Sequence, residues 1–314
     1  NKFQFDIDEN NQLKNYLINS NIKLDKLITN KNLQNLLYFK NINTDLTLKD
    51  GSFKVDLKSN YSFLNDKYNN TDDNNKINLK LNKSKDISKV EIFLNTKDNK
   101  INIKEFKNIF NLQTNIIDDQ IVNLDSDSLI KFTVNKTYKI NNLSLKSDLA
   151  LDTLRIKYKS NIIKKYIPTY KNKLTLKKPK IIISYSNGML DFQLDGKYTL
   201  KDKFDNIFFK AKGNYDNFEI YSLLNFNESK ISSSEIEYSK KENIPSNLEV
   251  LVNYNEKKNI IKKISFVENE NSFSLSNLYL SKDLKIIKVD EINLNFVNKK
   301  KILNNLHIKR NKTN

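Results

Sequence analysis

The feature that most constrains this chain is a two-residue rhythm of apolar and polar side chains, repeated in short runs. Phe53, Val55 and Leu57 alternate with Lys54, Asp56 and Lys58, and Ile77, Leu79 and Leu81 alternate with Asn78, Lys80 and Asn82. Successive side chains of a strand point to opposite faces, so this rhythm marks strands with one covered and one wet face. It returns at Phe132 and Val134, Leu143 and Leu145, Leu154 to Tyr158, Leu174 and Leu176, and Phe192 and Leu194. The last third adds Ile236 and Tyr238, Leu248 to Tyr254, Ile264 and Phe266, Phe273 and Leu275, and Ile292 to Phe296. Clusters of Asn, Asp, Lys and Ser between the runs read as turns. With 4 Gly in 314 residues, Asn is the residue left to adopt positive φ at hairpins.

Strand signals recur every ~10–15 residues, the spacing of an antiparallel meander. Helical spacing is confined to three places. Residues 10–38 carry Leu13, Tyr16 and Leu17, then Leu33, Leu36 and Leu37; residues 104–112 carry Glu105, Phe106, Ile109 and Phe110; residues 161–167 precede Pro168. The expected organisation is a mixed leading segment with short helices over 1–45 and a continuous β segment over 46–314. The chain starts at Asn1 and stops within an alternating run (Leu306, Ile308), so it reads as truncated at both ends, with any anchor or targeting signal outside it. Pro179 precedes Ile181-Ile182-Ile183-Ser184-Tyr185, apolar on both faces, and Asn187-Gly188 predicts a hairpin turn into Met189-Leu190-Asp191-Phe192.

Strict alternation requires something apolar over one face: a second sheet, the same sheet curled on itself, or a ligand. Hydrophobic residues make up 38% and charged residues 29%, which favours a curled sheet over a two-sheet core. The fold expected is mainly β: a long antiparallel meander curled into an elongated open groove, with a few short helices.

The formal net charge of +17 raises nucleic acid as a partner. Of the 54 basic residues, however, only Arg155 and Arg310 are arginine, the side chain best suited to base edges and phosphates. The lysines are spread along the chain between apolar residues, so the reading is a solvated lysine face and no nucleic acid. No run approaches the ~18–20 apolar residues of a membrane-spanning helix. With 0 Cys and a single His307, there is no thiolate metal site and no Cys–His or Ser–His–Asp arrangement. His307 reads as the outward residue of a strand. Gly51, Gly188, Gly196 and Gly213 form no phosphate-cradling motif. Asp72-Asp73, Asp118-Asp119 and Asp125 with Asp127 read as solvated turn residues, lacking the glycine and glutamate of a calcium loop. No catalysis, cofactor or metal is expected.

Residues 143–224 carry a more specific phrase. Leu143-Ser-Leu-Lys-Ser-Asp-Leu-Ala-Leu-Asp-Thr-Leu-Arg-Ile-Lys-Tyr158 is followed by Tyr166-Ile-Pro168, Lys180-Ile-Ile-Ile-Ser-Tyr185, Asn187-Gly188 and Asp195-Gly196-Lys197-Tyr198. Asn271 to Ser281 and Ile286 to Val297 continue it. In strand rhythm and phrasing, over roughly residues 45–310, the chain resembles the large AsmA-like proteins of Gram-negative bacteria, especially the YhdP-type branch. That resemblance implies a periplasmic protein, held in the inner membrane by an N-terminal helix outside this segment. It would carry phospholipid acyl chains between inner and outer membranes along a taco-shaped apolar β-groove, supporting outer-membrane lipid homeostasis. It implies no catalytic residues. The groove would be lined by apolar members of the alternating strands: Phe53, Val55, Leu57, Leu154, Ile156, Phe192, Leu194, Leu294 and Phe296. The alternative is a structural or adhesive surface β-protein with the same side chains packed internally. An outer-membrane barrel is disfavoured because the aromatic residues do not gather into two girdles.

Overall fold

The computed structural model describes residues 1–28, 37–63, 75–104, 116–255, 259–283, 285–298 and 300–311. The protein is mainly β, 73% strand against 3% helix, and strand pairing is antiparallel. It divides into two compact units, residues 1–114, 120–151 and 183–187 against 115–119, 152–182 and 188–314. The division does not fall between residues 45 and 46, because the first strands are zipped to those that follow.

The first unit is a meander of β1 (Lys2–Ile7), β2 (Leu13–Ile28), β3 (Leu37–Lys49), β4 (Ser52–Phe63), β5 (Lys76–Lys83), β6 (Ile87–Asn102), β7 (Ile121–Asn135) and β8 (Ile140–Leu151). Each strand pairs with the next. The expectation of helix over residues 10–38 fails where the structure describes it: Leu13–Ile28 is a 16-residue strand. The helical spacing of Leu13, Tyr16 and Leu17 comes from a β-bulge, since the β1–β2 register shifts between Gln4 and Asp6 and Asn15 takes φ 50°. One extra residue breaks the two-residue rhythm without breaking the strand. Leu33 and Leu36, with residues 105–112 of the second expected helix, lie outside the described residues.

The second unit holds β9 (Thr153–Lys157), α1 (Asn161–Tyr166), β10 (Lys173–Ser186, its last residues grouped with the first unit), β11 (Met189–Thr199), β12 (Asp205–Asn214) and β13 (Asn217–Asn225). Then come β14 (Ile231–Ser233), β15 (Tyr238–Lys240), β16 (Asn247–Asn255), β17 (Asn259–Glu268), β18 (Asn271–Leu280), β19 (Ile286–Val297) and β20 (Leu303–Lys309). β11, β12, β13, β16, β17, β18, β19 and β20 pair in that order, while β14 and β15 make a separate small hairpin. The expected strand at Ile236 and Tyr238 is thus only three residues long and begins at Tyr238. Helix α1 forms where expected. Ser160 caps it by accepting from the Ile163 N–H at 3.2 Å, and Pro168 follows its end. Neither unit closes into a barrel: among the described pairings β1 has only β2, and β20 only β19.

Asparagine closes several turns, at Asn11, Asn187 and Asn269, and takes positive φ inside strands at Asn15, Asn41, Asn142 and Asn277. Among the described residues, nine of the fifteen non-glycine positions with positive φ are Asn. Asn187 (φ 50°) and Gly188 (φ 77°) form the expected primed turn, and Asp50 with Gly51 joins β3 to β4 in the same way. Gly196 lets β11 approach β10, a Cβ there lying 3.0 Å from the Pro179 Cα. That close approach suits a proline, which has no N–H to offer the ladder.

Candidate functional site

The register sorts each unit into an apolar and a polar face. In the first unit Leu46, Val55, Leu81, Val90 and Phe132 stand opposite one another across five strands, and Leu57, Leu79, Ile92, Ile130 and Leu145 do so one step along. The reverse face carries Asp56, Lys80, Glu91 and Lys131, with Lys131 3.3 Å from Glu91. Most side chains on the apolar face are half-buried. All described strands of the unit belong to one sheet. Phe53, Val55 and Leu57 lie together on this face, as expected.

The second unit repeats the arrangement on eight strands. One row runs Leu194, Phe209, Ser222, Val250, Ile264, Leu275, Ile292, Ile308. The next runs Phe192, Ala211, Ile220, Val252, Ile261, Leu278, Val289. On the other side of the first row lie Gly196, Ile207, Leu224, Leu248, Phe266, Phe273, Leu294 and Leu306. Phe192, Leu194 and Leu294 therefore share one surface, as expected. Edge-to-face packing of Phe192 on Phe209, centroids 5.9 Å apart, stiffens it.

A cap seals one margin of this surface. α1 and the turn after it bring Ile167 and Tyr170 onto Leu176, Tyr198 and Phe226, with Leu154, Ile156, Leu194, Ile207 and Leu248 packed around them. Leu154 and Ile156 therefore face protein, as core. Phe296, only 6% exposed, is also covered, with the Tyr238 ring edge-on to it and to Phe266. Of the nine expected lining residues, Leu154, Ile156 and Leu194 pack, partly buried, against this core, and Phe296 is buried. The alternating pattern could not show this, because the covering residues come from two connections without that rhythm: Ile167 and Tyr170 lie between β9 and β10, and Phe226 and Tyr238 in the long β13–β16 connection.

That connection is held by a buried polar network. Lys240 is fully buried, and its ammonium donates to the carbonyls of Ser229 (2.8 Å), Lys241 (3.0 Å) and Asn227 (3.2 Å). Burial lowers its pKa, while Asp205, Glu268, Glu228 and Glu242 pull it back up. Burial raises that of Asp205, against the backbone N–H groups of Glu228 and Asn227 that favour its charged form. Tyr238 donates to the Glu268 carboxylate, and Tyr198 to the Asn225 carbonyl at 2.6 Å; burial raises both phenols. At the surface Lys165 of α1 pairs with Glu235 of the small hairpin, and this pairing with backbone and Ser233 hydrogen bonds brings Glu235 down to about 2.

The expected solvated carboxylates are partly otherwise. Asp119 is buried and takes the Arg155 guanidinium at 2.8 Å. Asp118 is held by Lys157 and Lys173, each at 2.5 Å, and brought down to about 2 by them. These bonds, with Asp118 N–H to Arg155 O at 2.8 Å, lash residues 116–119 along β9. Asp125 and Asp127 lie within β7, and Asp72 and Asp73 lie outside the described residues. His307 projects from β20 beside Glu291 at 3.1 Å, the outward strand residue expected. Among the described residues no group of acidic, His or Cys side chains could hold a metal ion, and no helix is long and apolar enough to cross a membrane. Comparisons with protein-family models, with curated proteins and with solved structures return no match.

Proposed function

We propose that the protein is a non-enzymatic lipid carrier, a groove-forming segment of an AsmA-like periplasmic protein, and that its apolar sheet faces hold acyl chains. The observation that carries this reading is the set of three adjacent, largely apolar rows crossing seven or eight strands of the second unit, interrupted by a polar side chain at Ser222. At ~4.8 Å per strand, eight strands span ~34 Å, room for several acyl chains laid side by side along the strands. Each CH₂ laid on such a surface recovers ~0.8 kcal/mol. Rows made mostly of Val, Ile, Leu and Phe offer similar contacts at successive strands, so no single position becomes a deep trap. Carriage between inner and outer membranes, with anchoring outside this segment, follows from the same proposal.

The test is to purify the chain, extract it with organic solvent and identify bound lipids by mass spectrometry, with uptake of a fluorescent phospholipid from vesicles as a second readout. Co-purified phospholipid and saturable uptake are expected. A lipid-free protein that takes up none sinks the proposal. The structural or adhesive alternative is favoured locally by the core of Ile167, Tyr170, Leu176, Tyr198 and Phe226, where the chain covers its own apolar surface.

A further inference from the structure

An amphiphile lying on an apolar strip must bring its polar head to water at one margin. In the second unit the two margins differ. One carries the long connections 158–172, 200–204 and 226–246, from which the cap of α1 and the β14–β15 hairpin is built. The other carries the tight turn at Tyr215-Asp216 and the short β18–β19 connection. We propose that a lipid bound on this face turns its polar head to the tight-turn margin and its chain ends toward the cap. The inference rests on the lipid-carrier reading and gives it a direction.

At the cap margin Ile207, Leu224 and Leu248 of the row are packed against the cluster of Tyr198 and Phe226, so chain ends there meet apolar side chains. Lys165, Lys201 and Lys203 there are already within ion-pair distance of Glu235, Asp202 and Glu228. At the other margin the last row of the same face includes Phe218, Tyr254, Leu280 and Ile286. Nothing among the described residues of this unit is layered on it: Tyr254 is 44% exposed and Ile286 69%. Tyr215 at the neighbouring turn is 85% exposed. A tyrosine combines an apolar ring with a polar tip and settles where hydrocarbon meets water. Lys282 and Lys285 precede Ile286, alongside Asp283, and offer ammonium donors to a head-group phosphate, while Lys288 lies over the Tyr279 ring and within ion-pair distance of Asp290.

The chain has no cysteine, so single-cysteine variants carry one label each. Tyr215→Cys and Ile287→Cys would place a fluorophore at the tight-turn margin, and Lys201→Cys and Lys230→Cys at the cap margin, all at exposed positions. Each labelled protein is loaded with phosphatidylcholine carrying a nitroxide either on the head group or at the acyl terminus. Several-fold stronger head-group quenching at 215 and 287 than at 201 and 230, reversed for the acyl nitroxide, is expected. Equal quenching at both margins, or stronger head-group quenching at the cap, overturns the inference while leaving lipid carriage intact. Absence of quenching by either lipid at all four positions removes lipid carriage itself, and the inference with it.

Discussion

Individual residues fix where this sheet can bend and where it cannot. A Cβ on Gly213 of β12 would lie 2.0 Å from the Asn217 carbonyl oxygen and 2.7 Å from the Phe218 Cα. Both are backbone atoms of the neighbouring strand, so neither can swing aside. Gly213→Ala is expected to cost ~1–3 kcal/mol, the usual range for overpacking, read as a lower thermal midpoint by circular dichroism. An unchanged midpoint would mean that the turn relaxes. Lys240 works in the opposite sense, filling space with a charge. Lys240→Met keeps the stem but orphans three carbonyls and takes the ammonium from Asp205 and Glu268. A loss of ~2–4 kcal/mol is expected, with faster proteolysis confined to residues 226–246. Uniform loss across the second unit would show that Lys240 supports the sheet and not the cap. Neither role was legible in the sequence. Gly213 was visible only as a scarce glycine, and Lys240 is one lysine among many, its burial set by residues far along the chain.

At the scale of elements, ion pairs fasten short pieces to the strands. Asp118 and Glu235 each have a carboxyl held near 2, well below the ordinary carboxylate range. A lowered folded-state pKa means the pairing is fully present above the ordinary value near 4 and is lost as pH falls toward about 2. Residues 116–119, tied to Lys157 and Lys173, and the contact between α1 and Glu235 are expected to loosen in that window, before the sheet does. Hydrogen exchange by mass spectrometry at stepwise lower pH reads this, and Asp118→Asn should abolish the pH dependence at 116–119. Persistence of the acid step in that variant would assign it to other groups. Many of the elements were legible: alternation located most strands from Phe53 onward but named none at Ile87–Asn102, Asp205–Asn214 or Asn217–Asn225, and Pro168 marked the end of α1. The failure at Leu13–Ile28 has a definite source, since the bulge at Asn15 imitates helical spacing. Caps and ties were illegible because they join segments with no local pattern.

For the whole molecule, the alternating pattern predicted the apolar surface and which side chains share it, but not how much of it the chain covers. That depends on long connections. The open part can be altered without disturbing the sheet by using its own register. Ile220 and Val252 stand opposite each other in the middle of the face. Ile220→Lys combined with Val252→Glu puts a cross-strand ion pair there, a pairing that sheets accept. The double variant is expected to keep its circular dichroism spectrum and to lose phospholipid uptake several-fold. Full uptake by a folded double variant would exclude this face as the lipid surface. Because β11 to β13 and β16 to β20 each pair, among the described pairings, only with the strands beside them, a hairpin could be inserted or excised between two strands away from the cap while the remaining rows stay aligned. Such a sheet has no intrinsic length. Its reach is then a quantity that evolution or an engineer can adjust in steps of two strands, ~10 Å at a time.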